Sequence, residues 1–109
     1  MEKLNIKTAE KIEFVDITAD VQNIVSKKKI KDGVCLVFCP HTTAGLTINE
    51  NADPAVRSDM ISAFCKFIPV NAGYEHSEGN SDSHIKSSLF GASLTVFVEG
   101  GQLALGTWQ

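Results

Sequence analysis

The strongest constraint on the fold lies near the end of the chain. Leu94, Val96 and Val98 alternate with Thr95 and Phe97, Gly100-Gly101 follows, and Leu103 and Leu105 resume the alternation. Two runs of period two joined by two glycines predict a β-hairpin, because the favoured two-residue turns need positive φ at their central positions. Antiparallel pairing is therefore built into the chain. The partner strands must be found within 109 residues, which is the length of one domain.

Other segments carry similar signals. Leu4 and Ile6 alternate with polar residues, as do Ile12 and Phe14, so strands are expected at about 3–8 and 11–16 with a tight turn at Ala9-Glu10. Val34 to Cys39 is a continuous apolar run and predicts a strand buried on both faces, ended by Pro40. Gly45 to Glu50 alternates again, with Leu46 and Ile48 on one side.

Three helices are expected. Thr18 would cap the first, where Val21, Ile24 and Val25 recur at helical spacing and Lys27-Lys28-Lys29 suit its C-terminus. Asp53-Pro54 is a strong start signal for the second, with Val56, Met60, Phe64 and Phe67 as its apolar stripe and Pro69 as its stop. A loop over 69–79 leads to a short third helix from about Ser81-Asp82 to Gly91. The expected order is β-β-α-β-β-α-(α)-β-β, an α+β fold of mixed, mainly antiparallel sheets with two to three helices. Open strand edges need cover, which oligomerisation would supply.

Composition limits the function classes. Thirteen acidic and ten basic residues give a net charge of −3, so a protein held mainly to nucleic-acid phosphates is not expected. No apolar run approaches the roughly 20 residues needed to span a bilayer. The first residues, Met1 to Asn5, lack the apolar core of a signal peptide. A soluble cytoplasmic protein is the expectation. The three cysteines, Cys35, Cys39 and Cys65, form no metal or redox motif and read as small buried residues.

The candidate chemistry sits in polar turns. His41 follows the apolar strand, while His76 and His84 bracket a turn and the start of a helix. Three imidazoles around an open position would make a catalytic zinc site, although the spacing matches no short zinc motif. Glu50 could act as a general base or orient an imidazole. Thr42, Thr43, Thr47 and Ser87 supply hydroxyls suited to phosphate oxygens, and the helix starts near 54 and 82 could receive an anion. Trp108 is either a core plug or a stacking surface. There is no G-x-S-x-G, H-E-x-x-H or C-x-x-C motif.

Three ordered stretches resemble the YjbQ family, small proteins often labelled secondary thiamine-phosphate synthase. They are Pro40-His41-Thr42-Thr43-Ala44-Gly45-Leu46-Thr47-Ile48-Asn49-Glu50-Asn51-Ala52-Asp53-Pro54, the H-x-E-G-N-x-x-x-H segment from His76 to His84, and Gly101 to Gln109 with its closing G-T-W-Q. The resemblance implies one YjbQ-type domain over 1–109, in a family whose chains run on past T-W-Q through a further strand. It implies a homotrimer, and a polar pocket that acts on a small phosphorylated substrate. The implied reaction joins a hydroxymethylpyrimidine diphosphate to a thiazole phosphate. By motif match, His41, His76 and His84 would hold a divalent metal, zinc first, with magnesium an option on a diphosphate. Glu50, Asn51 and Asp53 would be the catalytic neighbours, and Thr43, Asn80 and Ser87 the substrate or cofactor contacts. A metal-dependent hydrolase and a non-catalytic trimeric ligand-binding protein are the alternatives.

Overall fold

The computed structural model describes residues 1–109. Six elements follow in the order α1 (Thr18–Lys27), β1 (Gly33–Phe38), α2 (Pro54–Phe67), α3 (Ser81–Phe90), β2 (Ser93–Glu99) and β3 (Gln102–Leu103). The three strands form one sheet in the order β1-β2-β3. β2 and β3 are antiparallel, with Val98 opposite Leu103 and Glu99 opposite Gln102. The β1 side runs antiparallel too: Gly101 N donates to Lys31 O at 2.7 Å, and Cys39 N donates to Ala92 O at 2.8 Å. The fold is α+β, with three helices and a small antiparallel sheet. No helix is long and apolar enough to cross a membrane.

The chain forms two compact units. The first comprises residues 1–35 and 95–106. Its hairpin turn has Gly100 at φ 56° and Gly101 at φ 82°, the left-handed conformations that the two glycines announce. α1 buries Val21 and Val25, and Lys27 ends it as expected. Thr18, however, is the first helical residue and not the cap. The Asp16 carboxylate accepts from Thr18 N at 2.9 Å and does the capping chemistry from outside the helix. Lys28 pairs with Glu2, and its hydrogen bond and charge hold the Glu2 carboxyl below the usual range.

One contact in this unit has no signature in the hydrophobic pattern. The Gln22 side-chain amide donates to Gly101 O at 2.9 Å, and its carbonyl accepts from Leu103 N at 2.9 Å. A helix side chain thus meets two backbone groups at the start of β3, as a neighbouring strand would.

The predicted strands at 3–8 and 11–16 do not form. Alternation gives a segment an apolar face, but a strand exists only where a partner completes its ladder. Here Leu4, Ile6 and Val15 remain exposed. The turn between them is tied locally, since Ala9 N and Glu10 N donate to the Glu13 carboxylate at 3.0 and 3.1 Å.

The second unit comprises residues 36–94 and 107–109. α2 starts as its sequence dictates: the Asp53 carboxylate accepts from Ala55 N at 2.8 Å, with Pro54 in the first turn. Val56, Met60 and Phe64 are half-buried, but Phe67 is 83% exposed. The helix ends there, and Ile68 is the residue that turns inward. Phe64 meets Phe90 of α3 with ring centroids 4.9 Å apart. α3 ends at Gly91, whose φ of 92° suits glycine.

The stretch 45–50 is extended without forming a strand. Leu46, Ile48 and Glu50 are half-buried and their neighbours exposed, so the alternation is expressed in burial but not in a ladder. Leu46 N donates to Gly91 O at 2.9 Å. Next to it, a Cβ on Gly45 would lie 2.7 Å from Phe90 Cβ and 3.1 Å from Ser87 O, so only glycine fits.

Two burial expectations fail. β1 is not buried on both faces: Val34, Leu36 and Phe38 are exposed, and Cys35, Val37 and Cys39 are half-buried. Within one chain, no second layer covers the outer face. Trp108 is 63% exposed, which excludes the core-plug reading. By contrast, Asp82 is fully buried and Lys86 nearly so, joined by a 2.8 Å ion pair along α3.

Two predictions follow from this packing. Gly45→Ala should cost about 1–3 kcal/mol by overpacking, while Gly33→Ala, whose Cβ would meet only Ile30 at 3.6 Å, serves as a near-neutral control. Urea unfolding checks both, and equal midpoints would refute the close-approach account. Lys86→Met should cost about 3–5 kcal/mol by removing the counter-charge of a buried carboxylate, and the double variant Asp82→Leu/Lys86→Met should recover part of that loss. A double variant no more stable than Lys86→Met would show that the pair matters for more than mutual charge compensation.

Candidate functional site

The site grows from the loop that precedes α3. His76 O accepts from Gly79 N at 3.1 Å, with Gly79 at φ 71°, and Asn80 O then accepts from Ser83 N at 3.0 Å as the helix begins. This tight reversal turns the chain back on itself. His76 on the loop and His84 on the helix meet edge to face, with ring centroids 5.3 Å apart and planes at 82°. They sit in an open cleft of about 660 Å³ whose walls also include Tyr74, Glu75, Ser81 and Ile85. Tyr74 Oη donates to Pro69 O at 3.0 Å, which pins the loop.

His41 occupies a separate turn. Its Nδ1 accepts from Thr43 N at 3.2 Å and lies 3.1 Å from Thr43 Oγ1, so the Thr43 hydroxyl serves the imidazole. That turn is fastened to α3 by Ser87, whose Oγ lies 2.6 Å from Thr42 O and 2.9 Å from His84 O. A hydroxyl has one proton, and both of these partners are acceptors. Ser87 is therefore a clasp between the His41 turn and the helix that carries His84. Sequence reasoning placed Thr43 and Ser87 against phosphate; their hydroxyls are engaged within the chain.

The remaining candidates are spread more widely. Asn80 lies at the N-cap of α3 without a side-chain capping bond, and its Oδ1 is buried with no hydrogen-bond partner. Asp53 is engaged as the cap of α2. Asn51 is fixed twice, by the Arg57 guanidinium at its Oδ1 and by its own N–H donating to Trp108 O at 2.7 Å. Glu50 is half-buried, with its backbone N–H on Asn49 Oδ1 at 2.7 Å. None of Glu50, Asn51 and Asp53 lines the cleft.

The chain thus unites His76 with His84. No group of three His, Cys, Asp or Glu side chains converges as metal ligands within it. Two imidazoles supply two nitrogen donors, one short of the three protein ligands of a catalytic zinc site. The expected histidine trio is therefore not complete as a metal cradle within one chain. What the pair can do unaided is donate N–H groups to anionic oxygens or move a proton.

Sequence reasoning missed Tyr74 and Ile85 in the cleft wall, and the buried Lys86 on α3. Lys86 carried one signal, an oppositely charged residue four positions before it on a helix. That pattern is ordinarily a solvated surface pair.

Comparison with known proteins agrees with this architecture. Residues 2–109 match the family described as UPF0047 protein YjbQ-like. A UPF0047 protein of Methanocaldococcus jannaschii is 51% identical over 98% of this chain and 78% of its own length. YugU of Bacillus subtilis, also a UPF0047 protein, is 48% identical over all of this chain and 83% of its own. The crystal structure of an uncharacterised YjbQ/UPF0047 protein from Clostridium acetobutylicum superposes with a TM-score of 0.93 at 50% identity, covering 95% of this chain and 81% of that one. A YbjQ-like protein of unknown function from Sulfolobus solfataricus gives 0.90 at 34% identity, covering 95% and 76%. On sequence and fold together, the chain belongs to the YjbQ-like UPF0047 family.

Proposed function

We propose that this protein is a small transferase of secondary thiamine-phosphate-synthase type, which joins hydroxymethylpyrimidine diphosphate to a thiazole phosphate. The observation that supports this reading is the His76/His84 pair in an open cleft at the start of α3. In the reaction, the bond between the pyrimidine methylene carbon and the diphosphate oxygen breaks, and its electron pair leaves with diphosphate. The thiazole nitrogen lone pair forms the new bond to that carbon. The products are thiamine phosphate and diphosphate, with no net proton transfer.

Charge develops on the departing oxygens, so donors placed there lower the barrier. His76 and His84 would provide ring N–H groups for them. Holding the two heterocycles side by side would supply much of the remaining acceleration. A divalent metal at the histidines, if its ligand set is completed from outside this chain, would add Lewis acidity at the same oxygens. Assembly as a homotrimer in the cytoplasm is part of this reading.

The test is formation of thiamine phosphate from the two purified substrates. His84→Ala and His76→Ala should each lower the rate by roughly a hundredfold or more, the scale of a lost oxyanion donor, with unfolding midpoints near that of the parent. No product above the uncatalysed background would overturn the reading. Diphosphate release without coupling would favour a hydrolase, and binding without turnover a ligand-binding protein. Elemental analysis of the same samples should find metal in the parent and none in His84→Ala. A metal-free, active parent would leave catalysis to the imidazoles. Light scattering should give three times the chain mass, and a monomer would refute the trimer.

A further inference from the structure

We propose that His41 is not a metal ligand but a fixed hydrogen-bond donor: its ring is held with the proton on Nε2, and that N–H donates to an oxygen of a phosphate or diphosphate. The assignment rests on the partner of Nδ1. Thr43 N lies 3.2 Å from Nδ1, and a main-chain N–H can only donate. Nδ1 therefore offers a lone pair and carries no proton. Thr43 Oγ1 stands 3.1 Å from the same nitrogen. A hydroxyl alone would permit either tautomer, because it can accept from Nδ1–H or donate to a bare nitrogen. The main-chain N–H removes that choice.

A histidine that binds a metal through one ring nitrogen almost always donates its other N–H to a carboxylate, a carbonyl or water. At His41 the second nitrogen faces a donor instead. Binding a metal at Nε2 would move the ring proton to Nδ1 and set it against Thr43 N–H. The expected histidine trio thus fails at His41 by polarity as well as by placement. What the ring keeps is one donor. His41 is exposed, and its Nε2 makes no bond within the chain. A group that can only donate suits one that can only accept, as an ionised phosphate oxygen does. The turn that presents it is well seated. Ala44 N donates to His41 O at 3.3 Å, and one hydroxyl, Ser87 Oγ, reaches both Thr42 O and His84 O. The identity of the anion rests on the reading of this protein as one that takes a phosphorylated substrate; the tautomer does not.

Nitrogen NMR of the isotopically labelled protein at mildly alkaline pH tests both parts, with His41→Asn identifying the His41 signals by their loss. In the parent, Nδ1 should appear as a bare acceptor nitrogen and Nε2 as a protonated one. The opposite pattern would overturn the assignment. Thr43→Val keeps the main-chain N–H and removes the hydroxyl, so it should preserve the pattern; a switch of tautomer would refute the account, since the hydroxyl would then be setting it. Equimolar zinc ion should leave the Nε2 proton in place, and its transfer to Nδ1 would make His41 a metal ligand. Inorganic pyrophosphate should shift the Nε2–H signal. His41→Asn retains an oxygen able to accept from Thr43 N and loses the donor. Its unfolding midpoint should therefore stay near that of the parent, while pyrophosphate binds roughly tenfold more weakly or worse. Parental affinity in that variant, or an Nε2–H signal indifferent to pyrophosphate, would overturn the donor role and leave the ring as a cap of its own turn. Thiamine phosphate formed at the parental rate by His41→Asn would do the same while keeping the transferase reading. A parent whose Nε2–H responds to pyrophosphate yet forms no thiamine phosphate would keep the donor and remove that reading.

Discussion

The approach of Gly45 to the last turn of α3 is the contact on which the second unit depends. With a side chain at residue 45, its Cβ would lie 2.7 Å from Phe90 Cβ, closer than real structures show, and tightly against the carbonyl oxygens of Ser87 and Gly91. Because nothing is there, the turn carrying His41 can lie against the helix. Leu46 then reaches Gly91 and Ser87 reaches Thr42. These bonds are individually ordinary. Their joint geometry exists only because one position has no Cβ.

α3 has an unusual division of labour. Its buried side carries a carboxylate and an ammonium, while Leu89 is 65% exposed. A buried ion pair contributes little net stability relative to an apolar replacement, but it is costly to break. The same helix carries His84 and Ile85, which line the cleft.

Much of the architecture was legible because its signals were local. The Gly100-Gly101 turn, the Asp53-Pro54 start and the Gly91 stop each need only a few neighbouring residues to act. Signals that depend on a distant partner fared worse. Residues 3–16 and 45–50 alternate as strands do, yet no ladder completes them, and the apolar run of β1 has one face uncovered. The same division holds at the site. His76 and His84 were legible as a pair because a short turn must bring them together. The role of Ser87 depended on a turn 45 residues earlier in the chain. Tyr74 and Ile85 gave no signal, since an apolar residue in a polar loop has no periodicity to betray it.

Gln22 has a consequence for how copies of this chain can meet. An exposed strand edge is a template on which a foreign strand can extend a sheet, and such growth leads towards aggregates as readily as towards ordered assemblies. At the start of β3 two of the groups such a strand would need, Leu103 N–H and Gly101 C=O, are already engaged by one amide. Glutamate could only accept there and lysine could only donate, so either would leave the edge half open. By closing it, Gln22 directs any association away from edge-to-edge sheet extension at these positions and towards contacts made through side chains.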